Sequence, residues 1–174
     1  ERHTAPRLQN VAASLYPMQR QGKIDARGGH HDAGDYSKYT INSAGLVHFL
    51  VFAADSFAGV GALDNLGLPE SGDGKSDILQ EAKWGADFLA RLLDTDGGFY
   101  FLVYPKDQRY ENRVLPDKGA PQVVWPKTTA VTAAAVGALA EAGSSPLMKA
   151  QFPAEAAMYL QKAQLGWNFL MNGL

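Results

Sequence analysis

Cysteine is absent from this chain of 174 residues. Its absence excludes disulfide bonds, thiolate zinc sites and a cysteine nucleophile. It leaves the cellular compartment open, because a secreted protein can fold without disulfides.

An initiator methionine is also absent, and the last helical pattern runs to Gly173-Leu174 with nothing after it to cover its apolar side. We therefore expect a truncated domain that belongs to a longer protein.

An excess of charge of one sign is missing too. The chain has 18 acidic and 16 basic residues, which gives a net charge of −2, and no block of like charge stands out. We therefore expect neither nucleic acid nor a membrane surface as a partner. No apolar run is long enough to span a membrane, and the first residues lack the apolar core of a signal peptide. The length predicts a single domain over residues 1–174.

Several signatures of common enzyme classes are also missing. The sequence has no glycine-rich phosphate loop, no alternation of strand and helix patterns, and no repeat of fixed short period. It has no Gly-x-Ser-x-Gly turn, and no pattern brings a serine next to a histidine. These absences disfavour nucleophilic catalysis by serine.

Helical periodicity dominates what is present, and it predicts four long helices joined by long loops. The four segments are residues 39–60, 77–93, 128–142 and 153–172. The first segment is apolar on nearly every face, which predicts a helix buried on most sides. The third consists of small residues, which predicts close helix contacts. Ser76 is expected to cap the second helix, and Thr128 or Thr129 the third.

Between the second and third helices, the sequence predicts one short extended run at residues 99–104 and then a loop over residues 105–126. This loop carries Tyr110 and Trp125, whose flat rings could stack on the apolar face of a sugar. Ordinary packing at the rim of the core is the alternative for each ring. The pattern as a whole predicts an all-α protein of helical hairpins, with its chemistry on loops at one end.

The most unusual stretch is Gly28-Gly29-His30-His31-Asp32-Ala33-Gly34-Asp35-Tyr36-Ser37-Lys38-Tyr39. Its glycines free the backbone for left-handed conformations or for close approach to a ligand. Asp35 stands where we expect the N-cap of the following helix, and the positive end of the helix dipole there favours an ionised carboxylate. Asp32 and Asp35 together would hold two carboxylates at a surface, which is the arrangement that a general base needs.

Other interpretations of this stretch stay open. Asp35 could be a plain helix cap, and Asp32 could form a local turn with the backbone. Two carboxylates could also bind calcium, although their spacing lacks the longer ligand ladder of an EF-hand. His30 and His31 fit a zinc site poorly, because adjacent side chains point apart. We expect one histidine to line the site and donate a hydrogen bond, and the other to pack.

The stretch at residues 28–39 resembles the catalytic-base motif of glycoside hydrolase family 9, the inverting cellulases and endoglucanases. Three further segments agree with that family in order and spacing, namely residues 76–89, 96–100 and 126–130. The resemblance covers most of residues 24–170. It implies an all-α (α/α)6 barrel of six helical hairpins, with the substrate cleft across one end. This chain would supply about the first half of the barrel.

The same resemblance implies roles for particular residues. Asp35 would be the general base that deprotonates the attacking water, and Asp32 would help to hold that water. His30, Tyr110 and Trp125 are the candidate substrate-binding residues. The general acid would be a glutamate in the remaining C-terminal part of the catalytic domain, outside this chain. The implied enzyme is secreted or periplasmic, requires no cofactor, and cleaves β-1,4-glucosidic bonds in cellulose or related β-glucans.

Two departures from the family pattern bear on these expectations. A bulky aromatic residue commonly stands where this chain has His30, so the sugar subsite beside the loop is expected to differ. The cysteines that join histidines at a structural zinc in some members are absent, so we assign no metal ligands. Structural calcium, which some members bind, stays open. The alternative functions are a non-catalytic helical carbohydrate-binding or interaction fragment, and the same fold acting on another β-glycan.

Overall fold

The computed structural model describes residues 15–34, 36–106, 114–115 and 118–173. Asp35 and Tyr110 lie outside the described residues. The described part is mainly helical and contains one small sheet. Its helices are α1 (Thr40–Ser56), α2 (Asp77–Arg91), α3 (Thr129–Ser144), α4 (Pro146–Gln151) and α5 (Pro153–Gly173), with a short 3₁₀ turn at Val60–Ala62.

The helix starts follow local capping chemistry in α2 and α3. The Ser76 side chain accepts a hydrogen bond from the backbone N–H of Leu79, and the Thr128 side chain accepts one from Val131. Both oxygens satisfy N–H groups that a helix leaves unpaired in its first turn. The predicted caps of these two helices are therefore confirmed.

The start of α1 differs from the sequence prediction. Its N-cap is Tyr39, which makes no side-chain cap hydrogen bond, so the expectation that Asp35 occupies this position is wrong. The first turn is held instead by residues 100–101, because the N–H of Thr40 donates to the carbonyl oxygen of Phe101 at 3.1 Å. The Thr40 hydroxyl also donates to the carbonyl oxygen of Tyr100 at 2.6 Å. Tertiary pairing sets the first residue of this helix.

The sheet joins three distant parts of the chain. Its strands are antiparallel, in the order β1 (Lys38–Tyr39), β2 (Leu102–Pro105) and β3 (Gln122–Val124). The predicted extended run over residues 99–104 is confirmed, because Phe99 and Tyr100 form isolated antiparallel bridges and β2 begins at Leu102. The uninterrupted loop over residues 105–126 is wrong, because β3 lies within it. Short strands of this kind gain stability only from their partners, so the local pattern underestimates them.

The helices pack in layers around an aliphatic core. Helix α1 packs against both α2 and α3, and α3 packs most extensively against α5. Close approach of α3 and α5 depends on glycine, since a Cβ at Gly143 would lie 2.7 Å from the carbonyl oxygen of Ala156. The expected close contacts of α3 are therefore confirmed. The core includes Val47, Val51, Leu79, Leu89, Ala135, Leu139 and Tyr159, each with no exposed surface.

One face of α1 is exposed, contrary to the expectation of burial on most sides. Val47 and Val51 are buried, whereas Phe49 and Phe52 are 68% and 46% exposed. The reason is that α2 and α3 both pack on the first face, and no described element covers the second. Short helix α4 was also not predicted, because its six residues are too few to show a periodic pattern. None of the helices in the described ranges is long and apolar enough to cross a membrane.

Candidate functional site

The glycine-rich loop lies directly on α2. Gly28 and Gly29 both adopt left-handed backbone conformations, with φ of 78° and 69°. A Cβ at Gly29 would lie 2.6 Å from the ring of Phe88, so no larger residue fits there without displacement. The loop therefore needs glycine at this position for backbone conformation and for close approach at once.

Asp32 is exposed at the tip of this loop and is bound by neutral partners. Its N–H donates to the carbonyl oxygen of Ser37 at 2.7 Å, which closes the turn. The Asn42 side-chain amide donates to Oδ1 of Asp32. Asn42 lies in the first turn of α1, where the helix dipole favours a negative charge. No lysine or arginine in the described part of the chain forms an ion pair with this carboxylate.

The nearest lysine in the sequence points to the other side of the loop. Lys38 donates from Nζ to the carbonyl oxygens of Ala26 and Gly28, the latter at 2.9 Å. The same atom lies 4.7 Å from the centre of the Phe88 ring. Burial, assisted by the nearby positive charge of Arg91, lowers the pKa of Lys38 to about 8. Lys38 therefore stabilises the backbone before the loop and forms no ion pair with Asp32.

Tyr36 has a strained backbone. Its φ is 57°, and it is the one non-glycine residue with positive φ in the described ranges. A bulky residue in the left-handed region costs about 1–3 kcal/mol and persists only where the surroundings require it. The ring of Tyr36 lies 5.1 Å from that of His31, which is the packing expected of one of the two histidines. Strain of this kind concentrates at functional sites.

His30 binds a residue that the sequence reading did not connect with the site. Its Nε2 is hydrogen-bonded to Oε1 of Glu81 in α2, and the two side chains are 32% and 37% exposed. Its Nδ1 is buried and has no partner among the described residues. His30 is thus a histidine that forms a hydrogen bond, and its partner is a protein side chain. Its proposed contact with substrate stays a prediction.

Trp125 is connected to the first turn of α1 through backbone hydrogen bonds of Phe101. It directly follows β3, and its carbonyl oxygen accepts a hydrogen bond from the N–H of Phe101 at 3.1 Å. The carbonyl oxygen of Phe101 in turn binds the first turn of α1. The indole Nε1 of Trp125 is buried without a partner in the described part of the chain. A buried N–H without a partner is rare, so this group is a candidate donor to a ligand.

A buried ion cluster forms around Lys127, two residues after Trp125. Lys127 has no exposed surface, and its Nζ lies 2.8 Å from Oδ2 of Asp94 and 2.6 Å from Oδ2 of Asp96. Burial alone would raise the pKa of Asp94, but hydrogen bonds from the N–H of Gln19 and from Lys127 lower it to about 2. Burial and the negative charge of Asp94 raise the pKa of Tyr100 to about 12. The cluster fixes the chain where β3 leads into α3.

Two residues beside the loop were missed by sequence reasoning. Asn42 was missed because a polar residue in the first turn of a helix is ordinary at a surface. Glu81 was missed because its contact with His30, 51 residues away in the sequence, depends on the fold. His48 in α1 lies apart from this loop and is paired with α3, since its Nδ1 lies 2.7 Å from Oε2 of Glu141.

The described residues contain no group of three or more histidine, aspartate or glutamate side chains placed to hold a metal ion. The calcium that the family resemblance left open therefore has no ligand set among them. A thiolate zinc site is excluded by the lack of cysteine.

The fold consists of packed helices, and a loop rich in glycine and aspartate precedes the first helix. Both features agree with the helical class of glycoside hydrolases. The model of Glycosyl hydrolase family 9 matches residues 3–173, and the chain belongs to this family. Its fold class is all-α, of the (α/α)6 barrel type that this family adopts.

Individual relatives agree with this family. The cellulose 1,4-beta-cellobiosidase of Acetivibrio thermocellus is 32% identical over 157 residues, which cover 82% of this chain and 17% of that protein. Endoglucanase D of the same organism is 26% identical over 86% of this chain and 24% of its own length. The crystal structure of a metagenome-derived family 9 endoglucanase superimposes with a TM-score of 0.78 and 36% identity, over 90% of this chain and 28% of that one. The chain thus spans under a third of these proteins.

Proposed function

We propose that this chain supplies the base side of the active site of an inverting, endoglucanase-like glycoside hydrolase. The substrate would be cellulose or a related β-glucan, cleaved at β-1,4-glucosidic bonds. Family membership and the names of the similar proteins support this substrate class. The enzyme would require no cofactor and would act outside the cell or in the periplasm.

The observation that carries the proposal is the environment of Asp32. A carboxylate that helps to hold a water molecule must be ionised and reachable, and it must not be neutralised by a cation. Asp32 is exposed, is bound by the amide of Asn42, and lies beside the positive end of α1. These features support a carboxylate loop that is built to meet a polar ligand.

Asp35 is our candidate for the general base, with Asp32 assisting. Inversion requires a base carboxylate about 6.5–9.5 Å from the general acid, which leaves room for one water molecule at the anomeric carbon. The base takes a proton from this water as it attacks. We assign the general acid to a glutamate in the remaining C-terminal part of the catalytic domain, which would be the partner of this segment.

The substrate contacts that we propose come from His30, Tyr110 and Trp125. The support for Trp125 is its buried and unpartnered Nε1, because a sugar hydroxyl could accept that hydrogen bond. The support for His30 is its place two residues before Asp32 in the sequence. Tyr110 is proposed on residue type and on its sequence segment alone.

The test uses the protein with its complete catalytic domain. We expect release of reducing sugar from soluble carboxymethyl cellulose or mixed-linkage β-glucan, and NMR should first detect the α-anomer of the new reducing end. Binding of the polysaccharide without hydrolysis would favour the non-catalytic alternative. Hydrolysis of another β-glycan alone would keep the fold and replace the substrate, and first appearance of the β-anomer would refute inversion.

A further inference from the structure

One stripe of helix α2 contacts residues 27–30, shortly before Asp32. Its members are Glu81, Trp84, Phe88 and Arg91, which follow one another at intervals of three, four and three residues. Residues at this spacing lie on one side of an α-helix. The segment that they contact, residues 27–30, is called the backing segment below.

Three of these contacts fix the backbone of the backing segment. Arg91 donates from Nη1 to the carbonyl oxygen of Arg27 at 3.0 Å, and Trp84 donates from Nε1 to that of Gly29 at 3.0 Å. The ring of Phe88 lies against Gly29 and leaves no room for a Cβ there. All three contacts act on or before Gly29, so none of them reaches the residues next to Asp32.

The fourth contact is the one closest to the carboxylate. Glu81 binds Nε2 of His30, and His30 is separated from Asp32 by a single residue. The Glu81 carboxylate offers only acceptor oxygens, which assigns a proton to the Nε2 atom of His30 that faces it. Nε2–H therefore donates to the Glu81 carboxylate. The pair therefore connects α2 to the residue that follows the two left-handed glycines, Gly28 and Gly29.

We propose that Glu81 is a positioning residue for Asp32, which acts by holding His30 and thereby the orientation of the loop at residues 31–34. This inference rests on the function proposed above for Asp32. Beyond His30, the contacts of the loop include the ring contact of His31 with Tyr36, the Asp32 N–H bond to Ser37, and the bond from Asn42 to Asp32. Asn42 holds Asp32 from α1, and Glu81 holds His30 from α2, so loss of Glu81 leaves this part of the loop attached to one helix in place of two.

A positioning role differs from a purely structural one in what it changes. The Glu81–His30 pair is about one third exposed, and exposed pairs of this kind contribute little to stability. A misplacement of about 1 Å at a reacting group, in contrast, can reduce a rate by about a hundredfold. Loss of Glu81 should therefore reduce kcat and leave the melting temperature nearly unchanged.

The experiment is a double-mutant cycle in the enzyme with its complete catalytic domain. We expect Glu81→Ala to lower kcat on soluble β-glucan by about 10- to 100-fold, with KM within about threefold of the wild-type value. Glu81→Gln keeps an acceptor at Oε1 and should retain most of kcat. In a His30→Phe background, Glu81→Ala should have little further effect. Glu155→Ala is the matched control, because Glu155 also forms a partly exposed ion pair, with Lys83 at 3.4 Å, and should leave kcat unchanged.

Hydrogen–deuterium exchange provides a readout that does not depend on turnover. Glu81→Ala should exchange faster than the wild type at residues 30–34, with α2 itself unchanged. Unaltered exchange in that segment, an unaltered kcat, or additive losses in the cycle would each overturn the positioning role. If the wild-type enzyme hydrolyses no β-glycan, the proposed function fails, and the exchange result alone then decides whether Glu81 holds the loop.

Discussion

The Nζ atom of Lys127 lies 2.8 Å from Oδ2 of Asp94, and neither side chain has any exposed surface. Asp94 also accepts hydrogen bonds from the N–H groups of Gln19 and Arg20. One carboxylate therefore ties the extended N-terminal segment to the turn after α2 and to the start of α3. A buried charge in this position needs its partner, because an unpaired one would pay the full cost of desolvation.

Removal of the cation should destabilise the fold strongly. We expect Lys127→Met to lower the free energy of unfolding by about 3–5 kcal/mol, since it leaves the Asp94 carboxylate buried without a counter-charge. Urea denaturation followed by circular dichroism measures this change. Lys149→Met at an exposed position is the control and should change the free energy by less than about 0.5 kcal/mol. Equal effects of the two substitutions would contradict the structural role of the pair.

The same carboxylate should make stability depend on acid pH. The pKa of Asp94 is about 2 in the folded protein against an ordinary value of 3.8, so the unfolded chain takes up its proton first as the pH falls. The stabilisation is therefore complete above about pH 4 and is lost as the pH falls toward 2. In urea unfolding at a series of pH values, the stability advantage of the wild type over Asp94→Asn should shrink across that window. A constant advantage would show that Asp94 keeps an ordinary pKa.

Lys38 should make the free energy of unfolding rise with pH in the alkaline range as well. Its pKa is lowered to about 8 from an ordinary 10.5, chiefly by burial, so the folded protein loses this proton before the unfolded chain does. Below pH 8, burial of the charged side chain lowers the free energy of unfolding. Between about pH 8 and 10.5 the folded protein carries this lysine uncharged, and the loss is removed. Over this range, the free energy of unfolding of the wild type should rise relative to that of Lys38→Met. A flat or falling difference would contradict the burial of this cation.

Gly22 and Gly29 form a matched pair for testing the close approach of the loop to α2. Both have positive φ, of 78° and 69°, but nothing lies within 4 Å of a Cβ at Gly22, whereas the Phe88 ring lies at 2.6 Å from one at Gly29. Gly22→Ala should cost about 1–2 kcal/mol for the left-handed backbone alone. Gly29→Ala should cost about 1–3 kcal/mol more, because it also overpacks the contact with Phe88. Thermal unfolding compares the two variants, and equal losses would mean that the loop does not press on the ring.

The sequence predicted the elements whose signals are local. Ser76 and Thr128 stand at helix starts because their side chains satisfy N–H groups a few residues away, and the helical periodicity of residues 77–93 predicts α2 from spacing alone. The stretch at residues 28–39 identified the family through residue types and order. These features needed no knowledge of the rest of the fold.

The features that sequence did not predict depend on distant partners. Strand β3 exists because Val124 pairs with Val103, and α1 begins at Thr40 because Phe101 accepts its N–H. The roles of Asn42 and Glu81 were hidden for the same reason. A carboxylate or amide on a helix surface looks solvated until the loop that it binds is brought to it by the fold.

The general base assigned to Asp35 is tested most directly by Asp35→Asn in the enzyme with its complete catalytic domain. Substitution by the amide removes the proton acceptor with little change in volume, so kcat on soluble β-glucan should fall by about 10²- to 10⁴-fold. Binding of a cello-oligosaccharide, measured by calorimetry, should persist. Asp73→Asn, in a loop remote in sequence from the motif, should keep wild-type kcat. A kcat for Asp35→Asn within a few-fold of the wild-type value would contradict the assignment of Asp35 as the base.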